Sequence, residues 1–330
     1  MFRFSCLCLA MVLSGTLVTH AVSDDTDSKP QAYTDVSQAG PDYQVQGEYV
    51  GNFELNGEDT KIGFQVIALG DENFHGVAML GGLPGDGWDS FTKIEADGTR
   101  DGDVVTLEAA EGSAVIKDGT VTIMSGDGDE LGTLQRVERK SPTLGMAPPE
   151  GAVVLFDGTT SENFTGGHMT DDDLLKAGCK SKQSFKDFTL HIEFRTPFMP
   201  TARSQGRGNS GVYLQTRYEV QILDSFGLEG LNNECGGIYS LHDPSENMCF
   251  PPLVWQTYDI DFTGAKFDDD GNKTNNATVT VRHNGVVVHE NLELKKETPG
   301  GQKEGPKGGP LMLQNHGNPV VFRNIWVVEK

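Results

Sequence analysis

Apolar and polar residues alternate along most of this chain with a period of two, the signature of half-buried β-strands. No amphipathic helical stripe longer than two turns stands out. In the first half, runs at Gly47–Leu55, Lys61–Leu69, His75–Leu80, Val104–Ala109, Ala114–Lys117, Thr120–Ser125 and Leu131–Glu138 read as strands. Asn56-Gly57 and Asp118-Gly119 punctuate them, and such pairs accept the two positive φ values of a type I′ hairpin turn. A small antiparallel sandwich or barrel over residues 42–139 is the expectation. The second half repeats the pattern at Val153–Phe156, Phe188–Arg195, Gly211–Gln215, Tyr218–Leu223, Gly237–Ser240, Thr257–Phe262, Ala277–His283, Val286–His289, Leu311–Asn315 and Val320–Val328, with Asn284-Gly285 as a further hairpin signal. Antiparallel strands of this kind predict a sandwich of two sheets, so the fold class is all-β.

The run from Gly206 to Ser225 carries the most information. Val212, Leu214, Val220 and Ile222 fall on apolar faces, leaving Tyr213, Gln215, Glu219 and Gln221 on the others. A face of Tyr, Gln and Glu resembles the lining of a sugar-binding groove; an ordinary solvated face is the alternative. A two-residue turn at Thr216-Arg217 would split this polar set between the two faces of the sheet. A three-residue loop, setting Gln215 opposite Glu219 and Tyr213 opposite Gln221, would keep it together and is expected.

Composition adds compartment and partners. Residues 1–21 combine Arg3, an apolar run from Phe4 to Val18 and the small-residue site Thr19-His20-Ala21, which predicts a signal peptide and a secreted or periplasmic protein cleaved near Ala21. The apolar run is short for a membrane span, so no such span is expected. A leader over 22–41, rich in Asp, Ser and Gln, reads as disordered. The formal charge of −22 resolves into −17 for residues 24–150 (25 acidic, 8 basic), −6 for residues 151–330 (23 acidic, 17 basic) and +1 from Arg3. Nucleic acid and anionic membrane surfaces are therefore poor partners. The charge break coincides with Pro-rich residues 140–150, expected to be a linker. Beyond residue 21, Cys179, Cys235 and Cys249 remain, and Cys235 with Cys249 is the more plausible disulfide in an oxidising compartment.

Several blocks in the second half occur together and in order: Val154-Leu155-Phe156-Asp157-Gly158, Phe188 to Arg195, Gly208 to Leu214, Tyr218 to Asp224, Trp255 to Tyr258, and Leu313 to Gly317 followed by Phe322 to Ile325. In this combination residues 151–330 resemble the 3-keto-disaccharide hydrolase domain family. The resemblance implies a concanavalin-like jelly roll acting on glycosides oxidised at C3. It does not extend to the N-terminal domain, whose role stays open.

A ketone at C3 acidifies the C2 hydrogen, so one placed base can remove it and the C1 substituent leaves by elimination; water then adds back. On the strength of the resemblance, Glu219 and His316 are the candidates for proton transfer. Asn209, Tyr213, Gln215, Gln221 and Gln314 are candidates for holding sugar oxygens or the enolate, and Arg323 for steadying a carboxylate. A divalent metal held by Glu219 and His316 is an open alternative, with no cofactor certain. His191, Glu193 and Arg195 read more simply as a cross-strand charge ladder. Asp268 to Asn272 reads as a turn, because Val279 stands where a calcium loop needs its closing carboxylate. Gln221 occupies the place of the Asp in the paired-carboxylate spacing of retaining glucanases, which argues against two-carboxylate hydrolysis. Two functions remain: an exported enzyme that cleaves an oligosaccharide or glycoside at a 3-keto sugar, and a lectin-like binding protein on the same fold.

Overall fold

The computed structural model describes residues 30–55, 58–110 and 112–330. The expected signal peptide and the Asn56-Gly57 turn lie outside them. A short helix, α1 (Gly40–Val45), precedes eight strands: β1 (Gly47–Leu55), β2 (Glu58–Gly70), β3 (Asn73–Leu80), β4 (Lys93–Asp101), β5 (Val104–Ala109), β6 (Gly112–Lys117), β7 (Thr120–Ser125) and β8 (Glu130–Val137). Each pairs antiparallel with the next, and β1 pairs with β8, closing a barrel. Closure removes the free edges that an open sheet would expose. Tyr49, Phe64, Phe74, Val105, Leu107, Val121 and Leu134 fill its interior. At the β6–β7 turn Asp118 and Gly119 both take positive φ, 49° and 76°, as the type I′ turn requires. β4 escaped the sequence reading because Lys-Ile-Glu-Ala-Asp-Gly-Thr-Arg-Asp carries little apolar alternation, and pairing with both β3 and β5 makes it a strand.

The rest of the chain adds β9 (Val153–Phe156), β10 (Phe164–Thr165), β11 (Leu175–Lys176), β12 (Cys179–Phe185), β13 (Phe188–Arg195), β14 (Ser210–Leu214), β15 (Tyr218–Ile222) and β16 (Gln256–Thr263). It ends with β17 (Lys266–Phe267), β18 (Lys273–Asn275), β19 (Ala277–His283), β20 (Val286–Leu294), β21 (Gly309–Leu313) and β22 (Val321–Glu329). A five-stranded sheet runs β10-β12-β21-β14-β15, and a seven-stranded sheet runs β11-β22-β13-β16-β19-β20 with β9 beside β22. Both are antiparallel throughout, giving a concanavalin-like jelly roll behind the small β-barrel. Phe188, Leu190, Ile192 and Phe194 of one sheet meet Val212, Leu214, Val220 and Ile222 of the other in a single core. Gly237–Ser240, expected as a strand, is a loop whose Ile238 bridges Val220. Asp268 to Gly271 makes the β17–β18 turn, as read from sequence.

Two segments depart from the sequence reading. Residues 30–41 of the supposed disordered leader are ordered on the sandwich: Tyr33 exchanges two backbone hydrogen bonds with Phe198, both 2.9 Å. Residues 141–146, within the supposed linker, lie as a strap across the outer face of the seven-stranded sheet. There Ser141 Oγ is 2.6 Å from Thr257 Oγ1, Thr143 Oγ1 donates to Asp259 (2.6 Å), and the Gly145 N–H donates to Glu193 (2.5 Å). The barrel also docks on the sandwich, since Ile67, Val77, Met79 and Leu83 join its core. At that junction Arg207 is held by Asp224 (2.7 Å) and donates to the Ala68 carbonyl. A tail or linker was read from composition in each segment, but composition does not register an apolar or polar partner supplied from far along the chain.

Candidate active site

The hairpin of β14 and β15 sets Tyr213 opposite Glu219, Gly211 opposite Gln221 and Val212 opposite Val220. Three residues, Gln215 to Arg217, connect the strands, with Gln215 and Thr216 at φ 55° and 58°. The loop length matches the expectation, but the register is slipped by two residues from the pairing foreseen. A slip of two conserves which face each side chain takes, so Tyr213, Glu219 and Gln221 still share one. Gln215 does not join them. It lies in the turn, where its amide donates to the carbonyls of Phe185 (3.1 Å) and Lys186 (2.9 Å) and accepts from Arg217 (2.7 Å).

A cavity of 240 Å³ opens on this face. It gathers Asn209, Tyr213, Glu219, Gln221, Gln314 and His316 from the expected set, together with Gln205, Tyr239, Pro299 and Gly300. Glu219 is buried, and Oε2 has no hydrogen-bond partner among the described residues. Burial raises its pKa to about 7, and the neighbouring Tyr213 phenol, whose hydroxyl donates to the Pro299 carbonyl (3.3 Å), opposes the rise. Gln221, oriented so that its amide nitrogen donates, reaches Glu219 Oε1 at 3.0 Å and the Ser210 carbonyl at 3.1 Å. Burial and the Glu219 carboxylate together push the Tyr213 phenol upward, so it stays a neutral donor. Gln314 Oε1 is a second buried acceptor without a partner among the described residues. Asn209 is tied back by its amide to the Gln205 carbonyl (2.8 Å), which fixes that wall. His316 sits at the exposed rim, on the loop between β21 and β22.

Glycine makes room for the carboxylate. A Cβ on Gly211 would fall 2.1 Å from Glu219 Oε1, so only glycine at this position lets the side chain lie flat across the hairpin. The sequence reading missed Gln205, Tyr239, Pro299 and Gly300. Tyr239 arrives because its N–H donates to the Glu219 carbonyl (3.1 Å), and Thr298 Oγ1 accepts from the Glu219 N–H (3.0 Å). Both contacts come from loops without periodicity. The turn-like Pro299-Gly300 was the one local signal available.

Arg323 lies elsewhere. It sits on β22 of the other sheet, where Nε donates to Glu193 (2.6 Å) and the guanidinium stacks on Trp255 at 4.0 Å. The carboxylate it steadies is thus the protein's own. His191 and Glu193 do make charged cross-strand pairs, but buried beneath the strap: His191 Nδ1 lies 2.6 Å from Asp259 on β16 with its ring stacked on Trp326, and Glu193 meets Arg323 on β22. Burial opposes ionisation of Glu193, yet the His191 ring at 3.6 Å and hydrogen bonds from Asn324, Arg323 and Gly145 outweigh it and hold the pKa at about 2.

The expected Cys235–Cys249 disulfide is absent. Cys179, Cys235 and Cys249 are all buried free thiols. Cys235 Sγ lies 3.2 Å from the Tyr258 hydroxyl, and Cys249 Sγ faces the Leu223 carbonyl at 3.5 Å, so polar neighbours accommodate both sulfurs without a bond between them. As for a metal, no group of three His, Cys, Asp or Glu side chains capable of holding one exists among the described residues. Glu219 and His316 would offer two strong ligands at most, which does not fit a resident divalent ion.

Among curated proteins no relative matches the chain. Of solved structures, a candidate glycosyl hydrolase from Parabacteroides distasonis ATCC 8503, determined at 2.13 Å, is similar at 35% identity and a TM-score of 0.52, covering 55% of this chain and 85% of its own. A second candidate glycosyl hydrolase from the same organism, determined at 1.70 Å, aligns at 18% identity and a TM-score of 0.40, over 55% of this chain and 94% of its own. No helix among the described residues is long and apolar enough to cross a membrane. The family described as the 3-keto-alpha-glucoside-1,2-lyase-like domain matches residues 151–328, the whole jelly roll that carries the cavity, and the chain belongs to that family.

Proposed function

We propose that this protein is an exported carbohydrate-active enzyme that cleaves the glycosidic bond of 3-keto-glycosides by elimination, with Glu219 as the base. The observation that carries this reading is a buried carboxyl with one unpartnered oxygen in a ring-sized cavity, its pKa raised to about 7. A base of that strength is half ionised near neutrality and well matched to a carbon acid next to a ketone. Glu219 takes the C2 proton, and the electron pair of that C–H bond moves into an enolate on the C3 oxygen. The enolate then collapses to a C1–C2 double bond as the C1–O bond breaks and its electrons leave with the departing oxygen, which takes up a proton. Addition of water across the double bond, hydroxyl to C1 and proton to C2, completes net hydrolysis.

The neutral Tyr213 hydroxyl beside Glu219 suits a sugar or enolate oxygen, while Gln221, whose two N–H go to Glu219 Oε1 and the Ser210 carbonyl, positions the carboxylate. Gln314 Oε1 suits a sugar hydroxyl, and His316 at the rim suits the departing oxygen. Export rests on the Met1–Ala21 pattern. The test is incubation with a 3-keto-glucoside while following enone absorbance and the released C1 substituent. Elimination predicts both signals from the wild-type chain, and silence in both would leave a binding protein. The mass of the mature N-terminus, recovered from outside the cytoplasm, tests export.

A further inference from the structure

Pro299 and Gly300 line both the 240 Å³ reactive cavity and an open space of 390 Å³ beside it. They form the tip of a tight turn. The Gly301 N–H donates to the Thr298 carbonyl (3.0 Å), and Gly300 takes φ 79° directly after a proline, the pattern of a type II turn. Thr298 ties this turn to the strand that carries the base, since its Oγ1 accepts from the Glu219 N–H (3.0 Å) and donates to the Arg217 carbonyl (3.2 Å). A second loop runs along the same two spaces, with Tyr239 lining the cavity and Ser240 the open space.

The chemistry of the cavity decides which side of the sugar meets this turn. With C2 at Glu219, the C3 oxygen at Tyr213 and the departing C1 oxygen at His316, C4 lies on the side away from His316. The Tyr213 hydroxyl donates to the Pro299 carbonyl (3.3 Å), and a Cβ on Gly300 would fall 3.0 Å from it. The C3 oxygen is thus held beside the turn, and a substituent on the adjacent C4 leaves the cavity over Pro299 and Gly300. It arrives in a space whose charge is opposite to that of the protein. Glu297 there is paired with Lys303, while the exposed Lys296 has no ion-pair partner among the described residues. In a chain of formal charge −22, this local surplus of one positive charge offsets the repulsion that an anionic substrate meets from the rest of the surface. A single ammonium on a flexible stem suits a single carboxylate.

We propose that the 390 Å³ space is a subsite for a carboxylate carried on O4 of the keto sugar, with Lys296 as the residue that selects it. This rests on the elimination reading, which orients the ring, and narrows its substrates to acidic 3-keto-glycosides substituted on the side opposite the scissile bond.

The test compares three compounds with one common leaving group: a 3-keto-glucoside, its 4-O-carboxymethyl ether and the neutral 4-O-carbamoylmethyl ether. In the wild-type chain kcat/KM should favour the carboxylate over the amide by about fivefold, as for an exposed ion pair. The preference should vanish in Lys296→Met, invert in Lys296→Glu, and shrink as salt is added. No preference in the wild type, a preference that survives Lys296→Met, or refusal of both ethers while the unsubstituted glucoside is turned over would each overturn the subsite. Silence on all three compounds defeats the elimination reading instead, and calorimetric titration of the two ethers then decides the subsite separately. Carboxylate bound about fivefold tighter than amide by the wild type, with the difference gone in Lys296→Met, supports it. Equal binding, or none, overturns it.

Discussion

Tyr213 and Glu219 are directly paired across the β14–β15 hairpin, and the phenol beside the carboxyl opposes the rise in its pKa. Burial alone would carry Glu219 higher. The pair therefore sets the pH at which a buried carboxylate becomes available as a base.

If Glu219 is the base, Glu219→Gln removes the proton-accepting oxygen while keeping shape and burial. Turnover of a 3-keto-glucoside should fall by about 10²–10⁴-fold. Unfolding midpoints and ligand titrations should stay near wild type. A variant that turns over at the wild-type rate would remove Glu219 from the chemistry.

The pH profile follows from the same group. Activity requires the carboxylate, so kcat/KM should rise with pH through about 7 and level off above it. Tyr213→Phe deletes the interaction that lowers the pKa, which should move this acid limb to higher pH. A limb that stays in place, or moves lower, would contradict the assigned relationship.

Gly211→Ala puts a methyl carbon where Glu219 Oε1 now lies, 2.1 Å away, and should displace the carboxylate. We expect a loss of activity of about 10²-fold or more, comparable to losing the base, with circular dichroism and unfolding close to wild type. Unchanged kcat would show that Glu219 does not need its present position.

Under the strap, Glu193 contributes stability by being ionised. Its folded pKa of about 2 lies below the ordinary glutamate value of 4.5, so this contribution is present above pH 4.5 and is lost as pH falls toward 2. Glu193→Gln should destabilise by about 1–3 kcal/mol at pH 7. The gap from wild type, measured by denaturant unfolding, should close as pH approaches 2. A gap that is constant with pH would exclude the ionised pair as its source.

Thiol chemistry offers a further check. Cys179, Cys235 and Cys249 are buried, and burial pushes Cys179 up to about 12, so native protein should resist alkylation. Unfolded without reductant, each should be alkylated and recovered in its own peptide by mass spectrometry. A cross-linked peptide joining Cys235 to Cys249 would reinstate the disulfide.

The all-β class was legible because a period of two is a local property. Phe188 to Arg195 declares its buried face with no reference to the rest of the chain, and Asp118-Gly119 and Asn284-Gly285 declare their turns through the positive φ they tolerate. The polar face of Tyr213, Glu219 and Gln221 was legible for the same reason, given a loop of odd length. Tertiary structure decided everything that depended on a partner distant in sequence. It set the register at Tyr213↔Glu219, moved Gln215 into the turn, and brought Tyr239 and Gly300 to the cavity from loops. The same long-range pairing put Arg323 on the opposite sheet beside Glu193, and laid Ser141 to Met146 over His191. Alternation fixes which way a side chain points relative to its own strand; which neighbour it meets depends on how strands and loops pair across the sandwich, and no local pattern encodes that.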